Sequence, residues 1–225
     1  MFWQAHRDTS RKALVTPRKS KRTSAAAPLR KEPTQERGRA RLRLILDAAE
    51  KEFADEGYER VTMEEVARKS KSSIGSVYRF FPDKRALFNA VAKRYEEQAR
   101  AHFSRIVAGA SPDMSINELV DLALDGIWAF NEKSNGLRAV WLNGQWSNEL
   151  LELAGAMNEE SAGLIASLFG VRAPNLAPAR RKVIARFVVD LVSCLLFVAA
   201  RSPKSAPSVI AETKAAVKAY LASVL

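Results

Sequence analysis

Apolar side chains recur every three or four residues along most of this chain, and no segment shows sustained alternation of apolar and polar residues. Prolines at positions 82, 112, 174, 178, 203 and 207 divide this pattern into long proline-free segments. Because proline breaks helices at interior positions, each segment is read as a helical stretch between two breaks. The pattern predicts an all-α fold.

The first predicted helix begins at Thr34 and is stopped by Gly57. Its apolar face carries Leu42, Ile45, Leu46, Ala49 and Phe53. Later helices are expected at 83–109, 115–134, 137–145, 148–169, 178–201 and 207–224. Ser115 and Glu118 form a capping box at one of these starts, and Asp83 is a candidate N-cap at another.

Residues 61–81 contain two short helices in close succession. Thr62 and Glu65 have the spacing of a capping box, and Val61 and Val66 that of a hydrophobic staple, so the first helix should begin at Met63. Ser73 can cap the second helix, which runs from 74 to 80. Two short helices joined by a tight turn and packed on a longer one make a helix-turn-helix.

The second short helix has side chains suited to a DNA major groove. Gly75 permits close approach, Ser76 can bond to a base edge, and Arg79 can reach guanine or a phosphate. Tyr78 offers its hydroxyl to a phosphate. Phosphates could also bind at the three helix starts marked by Thr62, Ser73 and Lys84. The alternative is a helical hairpin of an unrelated bundle, in which Tyr78 and Phe80 only pack.

As a whole, the run resembles the DNA-binding segment of the tetracycline-repressor (TetR) family over about 50 residues. The matching residues are Ile45-Leu46-Asp47-Ala48-Ala49, Phe53, Gly57-Tyr58, Val61-Thr62, Val66-Ala67, Ser73, Gly75-Ser76-Val77-Tyr78, Phe81 and Lys84. Where the family usually has Gly then Val in the turn, this chain has Lys71 then Ser72. The turn therefore calls for a left-handed Lys71 and lacks one apolar anchor.

The resemblance implies a three-helix DNA-binding domain, a divergent helical ligand-binding body and a homodimer formed by the last two long helices. It also implies roles for single residues. Phosphate contacts are expected from Thr62, Ser73, Tyr78 and Lys84, and contacts with bases from Ile74, Gly75, Ser76, Arg79 and Phe80. The expected partners are a palindromic double-stranded DNA operator and a small hydrophobic effector, and the regulator is expected to be a repressor.

Three regions are expected: a disordered basic tail over 1–33, the helix-turn-helix domain over 34–82, and the ligand-binding and dimerisation domain over 83–225. The chain has 36 Lys and Arg against 25 Asp and Glu, a formal charge of +11. Residues 1–43 hold 13 basic and 3 acidic residues, so nearly all of the excess lies there. The tail either follows the DNA backbone, which we favour, or is a solvated leader.

An aromatic-lined effector pocket is expected in the later helices. Its candidate residues are Trp128, Trp141, Gln145, Trp146, Phe187 and Asp190, each of which could instead be a core or surface residue. The single cysteine, Cys194, is expected to be inert packing.

No catalytic residues, metal site or cofactor are expected. The two histidines, His6 and His102, have no convincing nucleophile to pair with, and the glycines are too widely spaced for a glycine-rich phosphate loop. No membrane span is expected, because the longest apolar stretch carries Arg186 and Asp190, and a cytoplasmic protein fits. The rival to an effector-controlled regulator is a ligand-independent, sequence-tolerant nucleic-acid-binding protein driven by the basic tail.

Overall fold

The computed structural model describes residues 36–111, 113–142 and 148–225. Within these ranges the regular structure is helical throughout, which confirms the predicted fold class. The helices are α1 (Glu36–Glu56), α2 (Met63–Lys69), α3 (Ile74–Phe80), α4 (Lys84–Ala108), α5 (Ile116–Lys133), α6 (Asn135–Leu137), α7 (Asn148–Arg172), α8 (Pro178–Arg201) and α9 (Ala206–Val224). A π-helical turn, Arg138–Leu142, follows α6. The predicted start at Thr34 lies outside the described residues.

The helix starts that were predicted from capping residues are confirmed. Both capping boxes, Thr62 with Glu65 and Ser115 with Glu118, close in both directions. The side chain of Asp83 accepts a hydrogen bond from the Ala86 amide at the start of α4. These caps are local in sequence, since donor and acceptor lie three residues apart, and so they are readable without tertiary information.

Two predicted helices differ from the structure by more than one residue at an end. In the described part of the helix expected over 137–145, the structure has the short α6 followed by the π-helical turn, and residues 143–145 lie outside the described residues. Ser134 starts α6 earlier than predicted by accepting from the Gly136 amide. Helix α7 continues past 169 to Arg172, so Gly170 does not end it, and the guanidinium of Arg181 lies beside this glycine.

The N-terminal core joins α1, α2, α3 and the first half of α4. It contains Phe53, Val66, Val77 and Phe81 together with Leu87, Val91 and Tyr95 of α4, all nearly inaccessible to solvent. Val61 and Val66, the predicted staple, are both buried. Ala139 and Val140 of the π-helical turn belong to the same core. The N-terminal core therefore continues beyond residue 82, where the sequence placed a domain boundary.

A second core lies between α5, α7, α8 and α9. Leu124, Phe169, Ile184 and Val217 are representative of its buried side chains. A smaller cluster around Leu196 and Ile210 joins α8 and α9 near their connection. The two ends of α4 thus contact different units, because its first half lies in the N-terminal core and its second half packs on α5 and α7.

Helix α8 has an unusually apolar surface. Among the described residues it is the one helix long and apolar enough to cross a membrane by length and composition, a property that core helices of soluble proteins share. In the structure it packs between α7 and α9, with a third of that stretch buried. Val183, Phe187 and Val198 remain exposed on it. Cys194 is also exposed, so the expectation that it packs in the interior is wrong.

Candidate DNA-binding surface and ligand cavity

Helix α3 has one buried and one open face. Val77 and Phe80 are buried, whereas Ile74 and Tyr78 are 38% and 41% exposed. Ser73 begins the helix by accepting from the Ser76 amide. Because the helix is held by its buried face and its cap, the exposed side chains project from a fixed support.

Gly75 and Arg79 lie on the open face of α3. A Cβ atom added at Gly75 would meet nothing within 4 Å, so the glycine is not required by the fold of this chain. The guanidinium of Arg79 lies 5.2 Å from the centre of the Phe80 ring. A flat, accessible backbone beside an arginine is a surface that can approach base edges in a major groove.

Phe80 is not available to a base in this structure. Its side chain is only 3% exposed, and its ring packs near Phe81 in the N-terminal core. The base contact that the family resemblance implied for Phe80 is therefore corrected. The helical spacing explains the result, because Phe80 lies three positions after Val77 and shares its buried face.

Arg41 of α1 extends this surface, although no motif in the sequence singled it out. Its Nη1 lies 3.5 Å from Ser76 Oγ, which is in turn 2.8 Å from Ser73 Oγ. Arg41 is exposed and brings a cation beside the start of α3. The available signal was the basic run over 1–43, but only the folded structure, which brings Arg41 within 3.5 Å of Ser76, shows which arginine of that run is adjacent.

The helix starts at Thr62 and Lys84 flank α3. Thr62 is exposed, and its hydroxyl is engaged with Glu65 in the capping box. The ammonium of Lys84 donates to the carbonyl oxygens of Tyr58 and Glu59, at 2.8 and 3.1 Å, and lies 4.7 Å from the centre of the Tyr58 ring. Since an ammonium has three donors, Lys84 keeps one for a further acceptor.

The turn between α2 and α3 contains the predicted left-handed lysine. Lys71 has φ of 51°, the one non-glycine residue with positive φ in the described ranges. The turn is closed by hydrogen bonds from the Ser70 amide to Val66 and from the Ser72 amide to Ala67. Ser72 provides no apolar side chain to anchor the turn, and these backbone hydrogen bonds stabilise it instead.

A cavity of about 200 Å³ lies in the C-terminal unit. Its wall is formed by α4, α5, α7, α8 and α9, with side chains that include Phe103, Ile106, Leu119, Ile127, Leu164, Phe169, Val188 and Val217. The lining is predominantly apolar. A cavity of roughly 150 Å³ with such a lining can stay dry and hold benzene, so this one suits a small hydrophobic molecule.

The structure does not bring the predicted pocket residues to this cavity. Trp128 packs against the α8–α9 cluster, and Trp141 against the N-terminal core. Phe187 is 48% exposed, with its ring centre 4.8 Å from that of Tyr220. Asp190 pairs with Arg186 at 2.6 Å. Gln145 and Trp146 lie outside the described residues.

The sequence did contain a signal for the lining of this cavity. In the second half of α4, Ala99, Phe103 and Ile106 recur at helical spacing on the face that lines the cavity, and Ala110, just beyond the helix, continues the spacing. The prediction was based on aromatic residues instead. Aromatic content alone does not distinguish a cavity wall from a core or an exposed helix face.

Two side-chain links tie the C-terminal half of the chain to α1 and α4. Arg138 of the π-helical turn donates to the Ala54 carbonyl at 3.2 Å. The Tyr95 hydroxyl of α4 donates to Asn131 Oδ1 of α5 at 3.0 Å, and burial raises the pKa of Tyr95 well above its usual value. The hydroxyl therefore stays protonated and donates at any physiological pH.

Comparison with known proteins accounts for both units. Residues 45–91 match the family described as bacterial regulatory proteins, tetR family, and residues 115–221 match the tetracyclin repressor-like C-terminal domain. Together these matches cover most of the chain. The protein belongs to the TetR family of bacterial transcriptional regulators, and residues 45–91 are its helix-turn-helix DNA-binding segment.

Similar proteins include the HTH-type transcriptional repressor KstR of Mycolicibacterium smegmatis, which is 31% identical over 99 residues, 44% of this chain and 48% of that protein. The HTH-type transcriptional repressor Rv1474c of Mycobacterium tuberculosis is 39% identical over 66 residues, 29% of this chain and 35% of that protein. The matched stretch thus spans half or less of the length of these curated relatives.

Solved structures share the whole architecture. A TetR-family regulator from Streptomyces coelicolor has a TM-score of 0.61 and 26% identity, over 82% of this chain and 99% of that one. SmeT, solved as a complex with triclosan, has a TM-score of 0.62 and 20% identity, over 82% of this chain and 91% of that one. At that identity the SmeT likeness concerns the fold alone.

Proposed function

We propose that this protein is a transcriptional repressor that binds a palindromic DNA operator as a homodimer and is released by a small hydrophobic effector. The observation that carries the proposal is the course of α4. Leu87, Val91 and Tyr95 of this helix lie in the N-terminal core, while Phe103 and Val107 line the cavity. One helix therefore joins the DNA-binding unit to a ligand-sized space.

On the DNA side, Ile74, Gly75, Ser76 and Arg79 face bases, and Tyr78 gives its hydroxyl to a phosphate. This assignment is supported by the open face of α3 and by its fixed buried face. Phosphates bind at the starts of α2, α3 and α4, near Thr62, Ser73 and Lys84, where free amides and the helix dipole favour anions. Arg41 adds a cation beside them, and the basic tail over 1–33 follows the DNA backbone.

The proposed dimer forms through α8 and α9. The exposed Val183, Phe187, Cys194 and Val198 lie along one face of α8 at helical spacing, a mainly apolar face that also carries Asp190, paired with Arg186. An isologous interface on this face buries it against its own copy. Two recognition helices would then read two half-sites, which is why a palindromic operator is expected.

On the effector side, the apolar wall of the cavity favours a small hydrophobic molecule. Repression is proposed because both curated relatives bear the name of repressors. A body of this fold can accept a small molecule, since the fold neighbour SmeT was solved as a complex with triclosan. We place the protein in the cytoplasm, where operator and effector meet.

The effector acts by changing the position of α4 relative to the helices that pack against it. A ligand larger than the present space binds better when α4 is displaced from α5 and α7, and so it favours that arrangement. The first half of α4 is packed against α1 and shares the N-terminal core with α2 and α3. Displacement of α4 therefore re-orients this unit, and with it the recognition helix, in each protomer. The affinity for DNA then falls without contact between effector and DNA.

Selection of binding sites from a random duplex pool with the full-length protein tests the proposal. The expected product is an inverted repeat bound by a dimer, with half-sites about one helical turn apart. The alternative, a sequence-tolerant binder, predicts no enriched motif and an affinity that depends steeply on salt for every duplex. Recovery of no motif would contradict the proposed function.

A further inference from the structure

The cavity has two chemically different ends. Its polar lining side chains are Arg100 and Ser104 of α4, Asn158, Glu160 and Ser161 of α7, and Ser193 of α8. An ion pair joins Arg100 to Glu160, and a hydrogen bond joins Ser193 to Asn158, so α4, α7 and α8 are linked at this end. From residue 106 of α4 onward, the lining side chains of α4 and of the facing part of α5 are apolar. The α4 stretch from Arg100 to Val107 corresponds to about 10 Å of helix. The cavity is therefore amphipathic along its length.

The polar end carries more carboxylates than cations. Arg100 forms ion pairs with both Glu96 and Glu160, and its Nε lies 3.1 Å from a Glu160 oxygen. Glu96 is 7% exposed, so its charge is shielded little by solvent. Two carboxylates around one guanidinium leave one negative charge uncompensated at the wall that Arg100 and Glu160 line.

A second cluster of charged side chains beside this wall also has more carboxylates than cations. Arg186 pairs with Asp190 at 2.6 Å and with Glu159 at 2.7 Å, and these two carboxylates raise its pKa. The group reaches the cavity through Asn158, which donates to Asp190 at 3.0 Å and accepts from Ser193 at 3.1 Å. Again two carboxylates surround one guanidinium.

We propose that the effector is a cationic amphiphile, with an ammonium-type head at the Arg100–Glu160 end and an apolar tail directed toward α9. The inference rests on the proposed function, since it specifies the ligand of the same cavity. A carboxylate head would meet the excess negative charge, and the two guanidinium groups there are already engaged with carboxylates. A cationic head makes up the missing positive charge and gains charge-assisted hydrogen bonds.

Three probes with the same four-methylene phenylbutyl tail and different heads test the inference: 4-phenylbutylamine, 4-phenylbutanol and 5-phenylpentanoate, titrated calorimetrically into the full-length protein at neutral pH and low salt. The expected order of affinity is amine, alcohol, carboxylate. The amine should bind at least about tenfold more tightly than the carboxylate, as expected for hydrogen bonds to charged groups. Added salt should narrow this ratio, because the charges are partly exposed.

Two variants test whether the preference for the amine over the carboxylate arises at Glu160. Glu160→Gln removes one carboxylate from the cavity wall and should reduce the amine-to-carboxylate ratio several-fold. Glu152→Gln, an exposed residue of the same helix away from the cavity lining, removes the same charge and should leave the ratio unchanged. Circular dichroism checks that both variants keep the fold.

The failures are distinguishable. Binding of all three probes with equal affinity, tighter binding of the carboxylate, or a Glu160→Gln ratio equal to that of the parent protein would overturn the cationic class while leaving the cavity as a ligand site. Absence of binding by all three probes at millimolar concentration would overturn the cavity as an effector site, and with it the proposed effector response.

Discussion

Nη1 of Arg94, on α4, lies 2.6 Å from Oδ1 of Asp47, on α1. The same guanidinium pairs with Glu50 and donates to the Leu46 carbonyl at 3.1 Å. Its side chain is 19% exposed. Arg94 thus attaches the middle of α4, between the N-terminal core and the cavity, to the first helix of the DNA-binding unit.

Arg94→Ala should lower the free energy of unfolding by about 2 kcal/mol, because it leaves Glu50, only 13% exposed, without its partner. Chemical denaturation measures the change. Lys51→Ala is the matched control: it breaks a pair with Asp55 in which the lysine is 64% exposed, and it should leave the free energy of unfolding nearly unchanged. Equal losses in the two variants would show that the Arg94 cluster is no stronger than a surface pair.

Lys71→Gly should raise the free energy of unfolding by about 1 kcal/mol, since glycine adopts φ of 51° without the clash that a side chain suffers. Arg68→Gly, three residues earlier at an exposed position inside α2, should lower it by about 1 kcal/mol. Opposite signs in the two denaturation curves are the expected result. A destabilised Lys71→Gly variant would mean that the lysine side chain contributes more to the turn than its backbone strain costs.

Two substitutions on the open face of α3 should have different effects on DNA binding. Tyr78→Phe removes the hydroxyl that we propose to contact a phosphate and should weaken binding to all duplexes by a similar factor. Arg79→Ala should change base preference at particular positions by about 1–3 kcal/mol. Fluorescence anisotropy with the selected operator and its single-position variants measures both. Lys204→Ala, which removes a positive charge between α8 and α9, serves as control and should alter neither. Unchanged affinity and selectivity in both α3 variants would refute this assignment of α3.

Deletion of residues 1–33 removes nine basic and two acidic residues without altering the helix-turn-helix. Sequence preference should survive, while affinity falls and the slope of log K against log salt decreases by about 0.9 for each phosphate that the tail had neutralised. The comparison requires operator titrations at several salt concentrations with the full and shortened chains. A slope that does not change would identify the tail as a solvated leader.

The helix-turn-helix could be predicted from sequence almost residue by residue, because its determinants are local. The caps at Thr62 and Ser73 and the staple between Val61 and Val66 act over three to five positions. The left-handed Lys71 could be predicted because it stands where such turns usually place a glycine.

The cavity in the C-terminal unit could not be predicted in the same way. Its wall depends on how five helices meet, and Trp128 and Trp141, which suggested a pocket, pack elsewhere. Phe80 shows a related limit: family analogy placed it toward the bases, while its three-residue spacing from Val77 places it in the core. Where analogy and helical periodicity disagreed, periodicity was the better guide.

The coupling between cavity and DNA is tested most directly by measuring the dissociation constant of 4-phenylbutylamine with the full-length protein alone and with the protein saturated by its selected operator. If α4 transmits effector binding, operator should weaken amine binding by about 5- to 150-fold, and the amine should weaken operator binding by the same factor. A dissociation constant for the amine that is the same with and without operator would contradict the account.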